Sequence, residues 1–193
     1  MDGVLIDSEP LHYEVNKEIF SELNIDVSEK EYNSYIGTSN HEMWEKIVER
    51  YNLDKRASNL ASLQQKKNLE HVINGELELM DNVKELLDDL KNSNIKLALG
   101  SSSPKKLINK VINNFNIKNH FKIIRSGENV DEGKPAPDLF LKISEELNIK
   151  PENIVVIEDS HNGVKAAKNA GMNCIGFSNE NSGNQDLSLA DLI

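Results

Sequence analysis

The sequence predicts an α/β fold, a Rossmann-like parallel sheet with an inserted α-helical domain. Short aliphatic segments alternate with helical segments in the second half of the chain, the pattern of parallel βαβ units. Residues 9–77 have a helical pattern instead, with almost no glycine. The clearest strand is Ile154–Ile157, four β-branched residues that we expect to be buried on both faces of the sheet. We therefore predict a core of residues 1–8 and 78–193 and a helical insertion of residues 9–77.

Four helices are expected in the insertion. Apolar residues recur at helical spacing over Leu11–Leu23 and would form one buried face. Ser28 followed by Glu31 has the spacing of a capping box, and Asn40 is placed to cap a third helix. A fourth helix is predicted over Ala57–Ile73. Packing is the ordinary reason for such faces, so we expect them to form the core of this domain.

Helices and strands alternate through the α/β half of the chain. Pro104 suits the first turn of a helix, and Gly171 suits the position after the last residue of another. Residues 187–193 look like the start of a further strand. The predicted helices are 83–90, 104–115, 138–147 and 164–170, and the predicted strands are 95–99, 122–125, 154–157 and 173–177.

Composition excludes several classes of protein. The net charge of −10 and the pI near 5.0 disfavour binding to nucleic acid or to anionic membranes. Cys174 is the only cysteine, so a disulfide within the chain is impossible and a reducing compartment is expected. No apolar run approaches the ~18 residues that span a bilayer, and the acidic N-terminus is unlike a secretory signal. We expect a cytoplasmic monomer.

Two adjacent carboxylates follow the clearest strand. Glu158 and Asp159 stand at its carboxyl end, where open α/β sheets bind their ligands. Neighbouring acids repel each other unless a proton or a cation intervenes, and oxygen ligands of this kind suit Mg²⁺. The alternative is an acidic turn between strand and helix that binds nothing.

Two further segments could bind an anion. Ser101 and Ser102 follow an aliphatic strand and precede a helix, where hydroxyl and backbone N–H groups favour anions; a serine-rich helix cap without a ligand is equally common. Lys134 lies between a glycine and two prolines, which would stiffen its loop and fix the charge. A solvated loop lysine is the alternative. Asp2, beside a glycine that permits a sharp turn, is either a site residue or part of a frayed chain end.

Together these segments resemble the motifs of the haloacid dehalogenase-like hydrolase superfamily. The resemblance is to the branch with a helical cap, which includes phosphoglycolate-type phosphatases and β-phosphoglucomutase. Residues 2–8 match the first motif, Asp-x-Asp-Gly-x-x-x-Asp-Ser, from its second aspartate onward. Ser101 matches the second motif, Lys134 in Gly-Lys-Pro-x-Pro the third, and residues 158–160 with Gly163 the fourth. Four motifs in order along the chain are a specific signal.

One part of the first motif is missing from the sequence. The resemblance implies a nucleophilic aspartate two positions before Asp2, which would precede Met1, and a central strand before it. A parallel sheet without that strand would leave unpaired backbone groups in the core. We therefore expect the sequence to belong to a longer chain, or its start to be assigned at an internal methionine, and the end at Ile193 suggests the same.

The resemblance implies phosphoryl transfer through an aspartyl-phosphate. Asp2 would protonate the leaving oxygen and then activate the water that hydrolyses the intermediate. Ser101, with Ser102 beside it, and Lys134 would bind the oxygens of the transferred phosphoryl group.

The resemblance also implies a Mg²⁺ site and a cap. Mg²⁺ would be held by the nucleophile, the Asp2 carbonyl oxygen and Asp159, with Glu158 beside them. The cap, residues 9–77, would close over the site and select the substrate. Its candidate substrate residues are His12, Asn40 and Lys67.

The leading hypothesis is a Mg²⁺-dependent phosphatase acting on a small phosphorylated metabolite. A β-phosphoglucomutase-type mutase is the main alternative, but such mutases have an arginine in the cap loop after its glycine. Here Gly37 is followed by residues 38–41, which contain none. A non-catalytic member that retains weak ion binding is a second alternative. Dehalogenation is disfavoured because Asp2 and the metal-binding acids suit phosphate chemistry.

Overall fold

A computed structural model of the protein describes residues 1–36, 38–74 and 77–193. Gly37, the glycine of the predicted cap loop, lies outside the described residues, as does Gly75. The chain divides into two compact units. One is formed by Met1–Asp7 with Glu78–Ile193, and the other by Ser8–Leu77. The division falls within one residue of the predicted boundary.

The unit Ser8–Leu77 is helical. Trp44 is fully buried in its core, where the indole Nε1–H donates to Gln64 Oε1 at 3.0 Å and the ring meets Phe20 edge to face. Val15, Ile19 and Ile47 are buried beside them. The helices are α1 (Glu9–Glu22), α2 (Glu29–Asn33), α3 (Asn40–Arg50) and α4 (Ala57–Asn74).

One of the two predicted caps in this unit is confirmed and the other is wrong. The Ser28 hydroxyl accepts a hydrogen bond from the Glu31 N–H at 3.2 Å, as a capping box requires. Ser39, and not Asn40, caps α3, because its hydroxyl accepts from the Glu42 N–H at 3.2 Å. Ser39 has the extended backbone of a cap residue, whereas Asn40 already lies within the helix.

The other unit alternates helices with short parallel strands. Leu99 of β1 pairs with Ile124 of β2, and Val156 of β3 pairs with Cys174 of β4. Four one-turn 3-10 helices, 118–120, 127–129, 151–153 and 180–182, complete it. The elements in chain order are α5 (Val83–Asn92), β1 (Leu97–Ser101), α6 (Lys105–Asn114), β2 (Phe121–Ser126), α7 (Asp138–Leu147), β3 (Val155–Glu158), α8 (His161–Asn169) and β4 (Asn173–Gly176).

The strands form two separate parallel pairs within the part of the chain that the structure describes. One sheet contains β1 and β2, the other β3 and β4, and β1 does not pair with β3. The α/β class is as predicted, but the expected single sheet is divided. Residues near the chain end add one parallel bridge, between Ile175 and Leu192, in place of a further strand.

The prediction that the aliphatic strand β3 is buried on both faces is wrong. Val156 and Glu158 are buried, whereas Val155 and Ile157 are 58% and 41% exposed. Helix α8 and β4 cover the face that carries Val156, with Val164 and Cys174 in the same apolar cluster. The alternation of buried and exposed side chains therefore follows from packing on one face only.

Candidate active site

Asp2 is held in a tight turn at the start of the chain. The Gly3 N–H donates to the Ile6 carbonyl oxygen at 2.8 Å, and the Leu5 N–H donates to the Met1 carbonyl oxygen at 2.8 Å. Gly3 has a φ of +66°, which costs a residue with a Cβ about 1–2 kcal/mol. The predicted sharp turn at Asp2-Gly3 is therefore present, and the segment is not frayed.

The Asp2 carboxylate lies at the carboxyl end of β1. Its Oδ2 accepts from the Ser103 hydroxyl at 2.7 Å and from the Ser101 hydroxyl at 3.3 Å. Ser101 is buried at the end of the strand and in turn accepts from the Ser103 N–H at 3.1 Å. Ser102, also predicted to bind phosphate, is exposed. The hydroxyl that the sequence did not single out, Ser103, is the shorter contact to Asp2.

Lys134 points inward and contacts the first of the two acids after β3. Its ammonium group donates to Glu158 Oε1, in an ion pair whose side chains are 12% and 8% exposed. The same ammonium lies 5.2 Å from the centre of the Phe140 ring. Burial opposes ionisation of Glu158, but the charge of Lys134 and the Ser160 hydroxyl hold its pKa below the ordinary value. Lys134 is therefore a fixed, largely buried cation and not a solvated loop residue.

Asp159 lies against the turn that carries Asp2. A Cβ added to Gly3 would sit 1.9 Å from Asp159 Oδ2, so only glycine leaves room for this carboxylate. The same oxygen accepts from the Ser182 hydroxyl at 2.5 Å. Burial, aided by the neighbouring charge of Glu158, raises the pKa of Asp159. No ion pair reaches Asp159 among the described residues, in contrast to Glu158.

A polar loop after β4 completes the site and was not predicted. The Asn179 side-chain N–H donates to the Gly3 carbonyl oxygen at 3.2 Å, and Asn181 donates to Asp7 Oδ2 at 2.5 Å. With Ser182, these residues join the Asp2 turn to Asp159. The available signal was their position, because they follow the carboxyl end of a parallel strand, as the other site residues do.

Gly163 gives a first test of how tightly this site is packed. A Cβ on Gly163 would lie 2.0 Å from Glu158 Oε2, so the carboxylate would have to leave its buried pair with Lys134. We expect Gly163→Ala to lower the free energy of unfolding by about 2–3 kcal/mol. Gly133→Ala is the matched control, since nothing lies within 4 Å of its added Cβ. Equal stability of the two variants in urea denaturation would contradict the packing described here.

The three residues predicted to contact substrate from the helical unit have different surroundings. His12 and Asn40 line the same pocket of that unit. Lys67 lies apart, where its ammonium group pairs with Glu18 at 2.8 Å and Glu22 at 3.1 Å. Its charge is thus already balanced by two carboxylates.

Side chains alone do not form a metal site in the described parts of the chain. Over residues 1–36, 38–74 and 77–193, no group of three or more His, Cys, Asp or Glu side chains is arranged to hold a metal ion. A metal at Asp159 would therefore need backbone, water or substrate oxygens as well. No helix in the same ranges is long and apolar enough to cross a membrane.

The chain is similar in sequence to known proteins of one family. The family model described as haloacid dehalogenase-like hydrolase matches residues 1–177. A phosphorylated carbohydrates phosphatase from Thermotoga maritima is 32% identical over 174 residues, which cover 89% of this chain and 79% of that protein. A β-phosphoglucomutase from Bacillus subtilis is 30% identical over 182 residues, covering 91% and 80% of the two chains.

Solved structures agree as well. The crystal structure of CbbY from Rhodobacter sphaeroides in complex with phosphate superposes with a TM-score of 0.83 at 26% identity, covering 99% of this chain and 89% of that one. The sequence match, the fold and the four motifs in order lead to one conclusion. The chain belongs to the haloacid dehalogenase-like hydrolase family, in the branch that holds such phosphatases and β-phosphoglucomutases, and is a hydrolase.

Proposed function

We propose that the protein is a Mg²⁺-dependent phosphatase that hydrolyses a small phosphorylated carbohydrate through an aspartyl-phosphate. The observation that carries the proposal is the convergence of an acid, hydroxyls and a cation at one edge of the α/β unit. Asp2 contacts Ser101, and its neighbour Gly3 contacts Asp159. Lys134 forms an ion pair with Glu158, the residue before Asp159. Phosphoryl transfer uses an acid, hydroxyl donors and a cation of this kind beside its nucleophile and metal ion.

In the proposed reaction Asp2 is the general acid and base. The predicted nucleophile, an aspartate before Met1, would attack phosphorus while Asp2 gives a proton to the departing sugar oxygen. Asp2 would then take a proton from the water that attacks the phospho-aspartate, which releases inorganic phosphate. The hydroxyls of Ser101 and Ser103 already donate to Asp2 Oδ2, which fixes the orientation of its carboxyl group.

Lys134 and Ser101 are proposed to bind the transferred phosphoryl group. Both are held in place before substrate arrives, Lys134 by its pair with Glu158 and Ser101 by burial at the end of β1. A preorganised donor needs no reorganisation when charge develops in the transition state.

Mg²⁺ fits the oxygen atoms around Asp159. That carboxylate has no cationic partner among the described side chains, and it lies against Gly3, the residue after Asp2. Asp159 and the Asp2 carbonyl oxygen would hold the ion, with Glu158 fixed beside them. When bound, Mg²⁺ would offset negative charge on the phosphoryl group.

The substrate class is supported by the relatives. Those named above are a phosphatase of phosphorylated carbohydrates and a β-phosphoglucomutase, and a hexitol phosphatase from Escherichia coli is 29% identical over 182 residues. All three names describe enzymes that act on phosphate esters of polyhydroxyl compounds. We propose the same class of ester for this protein.

The test is an assay of the protein isolated from its native source, with its intact mass measured. We expect Mg²⁺-dependent release of inorganic phosphate from at least one of a panel of hexose, pentose and hexitol phosphates. Conversion of β-glucose 1-phosphate to glucose 6-phosphate without net phosphate release would favour the mutase instead. Turnover of no ester in the panel would favour a non-catalytic protein.

Asp159→Asn tests the metal site without relying on activity. Because the pKa of Asp159 is raised, the protonated carboxyl stabilises the folded protein relative to the ionised one. This stabilisation is lost as pH rises through that pKa. At neutral pH without metal, the Asn variant should therefore be at least as stable as the wild type.

Mg²⁺ should stabilise the wild type but not the Asn variant. At tenfold its Kd it should raise the Tm of the wild type by roughly 3–6 °C and leave that of Asp159→Asn unchanged. Asp89→Asn, an exposed acid on α5, is the control and should respond as the wild type does. A Mg²⁺ response retained in Asp159→Asn would remove Asp159 from the proposed ligands.

A further inference from the structure

Two polar side chains of the loop after β4 are buried. The loop contains the one-turn 3-10 helix Glu180–Ser182, and Asn179 caps this turn by accepting from the Asn181 N–H at 2.9 Å. Asn179 and Ser182 are only 8% and 5% exposed. Polar side chains are buried to this degree when they make specific hydrogen bonds, and here the bonds lead to the oxygen groups around the candidate cation site.

Ser182 holds one oxygen of the Asp159 carboxyl group. Its hydroxyl donates to Asp159 Oδ2 at 2.5 Å. A Cβ on Gly3 would lie 1.9 Å from that oxygen and 3.0 Å from Ser182 Oγ, so Oδ2 is enclosed between Gly3 and Ser182. No described side chain donates to Oδ1 of the same carboxyl group. A carboxylate that is held by one oxygen in this way leaves the other oxygen for a cation.

Asn179 holds the turn that carries the Asp2 carbonyl oxygen. Its side-chain N–H donates to the Gly3 carbonyl oxygen at 3.2 Å, while the Gly3 N–H donates to the Ile6 carbonyl oxygen at 2.8 Å. The Asp2 carbonyl and the Gly3 N–H belong to one planar peptide group. Because Gly3 is held on both sides, the direction of the Asp2 carbonyl is fixed as well.

One loop therefore holds both groups to which the Mg²⁺ ion was assigned. We propose that Ser182 and Asn179 are positioning residues of the cation site, which keep the Asp159 carboxylate and the Asp2 carbonyl oxygen in place before the ion binds. Hydrogen-bond partners of metal ligands are typically worth about 10–100-fold in metal affinity. The inference rests on the proposed function in taking those two groups as Mg²⁺ ligands.

A comparison of Mg²⁺ with Ca²⁺ separates positioning from a purely structural role of the loop. Mg²⁺ requires nearly octahedral ligands at ~2.0–2.1 Å, whereas Ca²⁺ accepts irregular ligands at ~2.3–2.6 Å. Loss of ligand orientation should therefore weaken Mg²⁺ binding more than Ca²⁺ binding. Loss of folded protein would weaken the binding of both ions alike.

The experiment is a calorimetric titration of the full-length chain from its native source with MgCl₂ and with CaCl₂, which needs no turnover. Ser182→Ala should raise the Kd for Mg²⁺ about tenfold or more and the Kd for Ca²⁺ less than about threefold. Asn179→Ser should act in the same direction, since serine can still cap the 3-10 helix but is too short to reach Gly3. Ser178→Ala, which removes an exposed hydroxyl just before the loop, is the control and should bind both ions as the wild type does.

Two results would overturn this inference and leave the proposed function intact. One is wild-type affinity for Mg²⁺ in both loop variants, and the other is equal weakening of Mg²⁺ and Ca²⁺ binding. Absence of Mg²⁺ binding in the wild type, or its persistence in Asp159→Asn, would instead reject the proposed metal site together with the inference. The Tm of each variant in EDTA shows whether it is folded. If Ser182→Ala does not fold, Asn179→Ser decides, because it leaves the bond to Asp159 intact.

Discussion

Asp2→Asn should lower kcat by roughly 10²–10⁴-fold, the usual scale for loss of a general acid–base group. The amide is nearly isosteric with the carboxylate and can still accept from Ser103 and Ser101, which now contact Asp2 at 2.7 and 3.3 Å. It cannot transfer the proton. The kcat of the variant should be measured in the full-length chain as it occurs in its native source, once that protein is shown to be active.

The substitution separates chemistry from folding. Because the hydrogen bonds to the serines remain possible, the Tm should change little, and KM should change less than kcat if the lost interaction is made only in the transition state. A phospho-aspartate formed on the variant should also hydrolyse slowly. A decrease in kcat below about tenfold, ~1.4 kcal/mol in barrier height, would mean that Asp2 is not the acid and base, provided that chemistry limits the rate.

Much of the α/β unit was predictable because its strands, helices and several site residues follow short sequence patterns. The aliphatic strands end at polar residues, and in parallel βαβ units the carboxyl ends of the strands lie at one edge of the sheet. Ser101 and Asp159 could therefore be placed at that edge from the amino-acid sequence, whereas Asp2 and Lys134 were placed with them by the resemblance of their motifs. The helix α7 was predicted with the bounds Asp138–Leu147 that the structure shows, since its apolar spacing and flanking residues agree.

The missed features depend on contacts between distant segments. The sequence makes Ser101, Ser102 and Ser103 look alike, and only the folded turn shows that Ser103 reaches Asp2 while Ser102 is exposed. The loop that places Ser182 on Asp159 has no local pattern beyond its polarity. Burial of β3 on both faces was predicted from composition, but burial depends on which elements cover a strand. Oligomeric state and cellular location stay predictions.

Lys134→Met should have the largest effect on stability, a loss of about 3–5 kcal/mol in the free energy of unfolding. Methionine keeps most of the length of the side chain but removes the charge, which leaves the Glu158 carboxylate buried without an opposite charge. Such a loss is a large part of the ~5–15 kcal/mol that stabilises a typical domain. Lys142→Met is the control, because this exposed lysine donates only to the Asn129 carbonyl oxygen at 3.1 Å. It should cost less than about 0.5 kcal/mol.

The pH dependence of stability tests whether the unpaired charge of Glu158 causes the stability loss in Lys134→Met. Its pKa in the folded protein lies below the ordinary value of 4.5, so its contribution is present above that value and is lost as pH falls through the folded pKa. Lys134→Met should remove this acid-side loss, and the variant should approach the wild type in stability at low pH. Adding Glu158→Gln to Lys134→Met should recover part of the stability at neutral pH, since no unpaired charge then remains. If the double variant is as unstable as Lys134→Met alone, packing of the lysine chain against Phe140, and not charge, holds this site together.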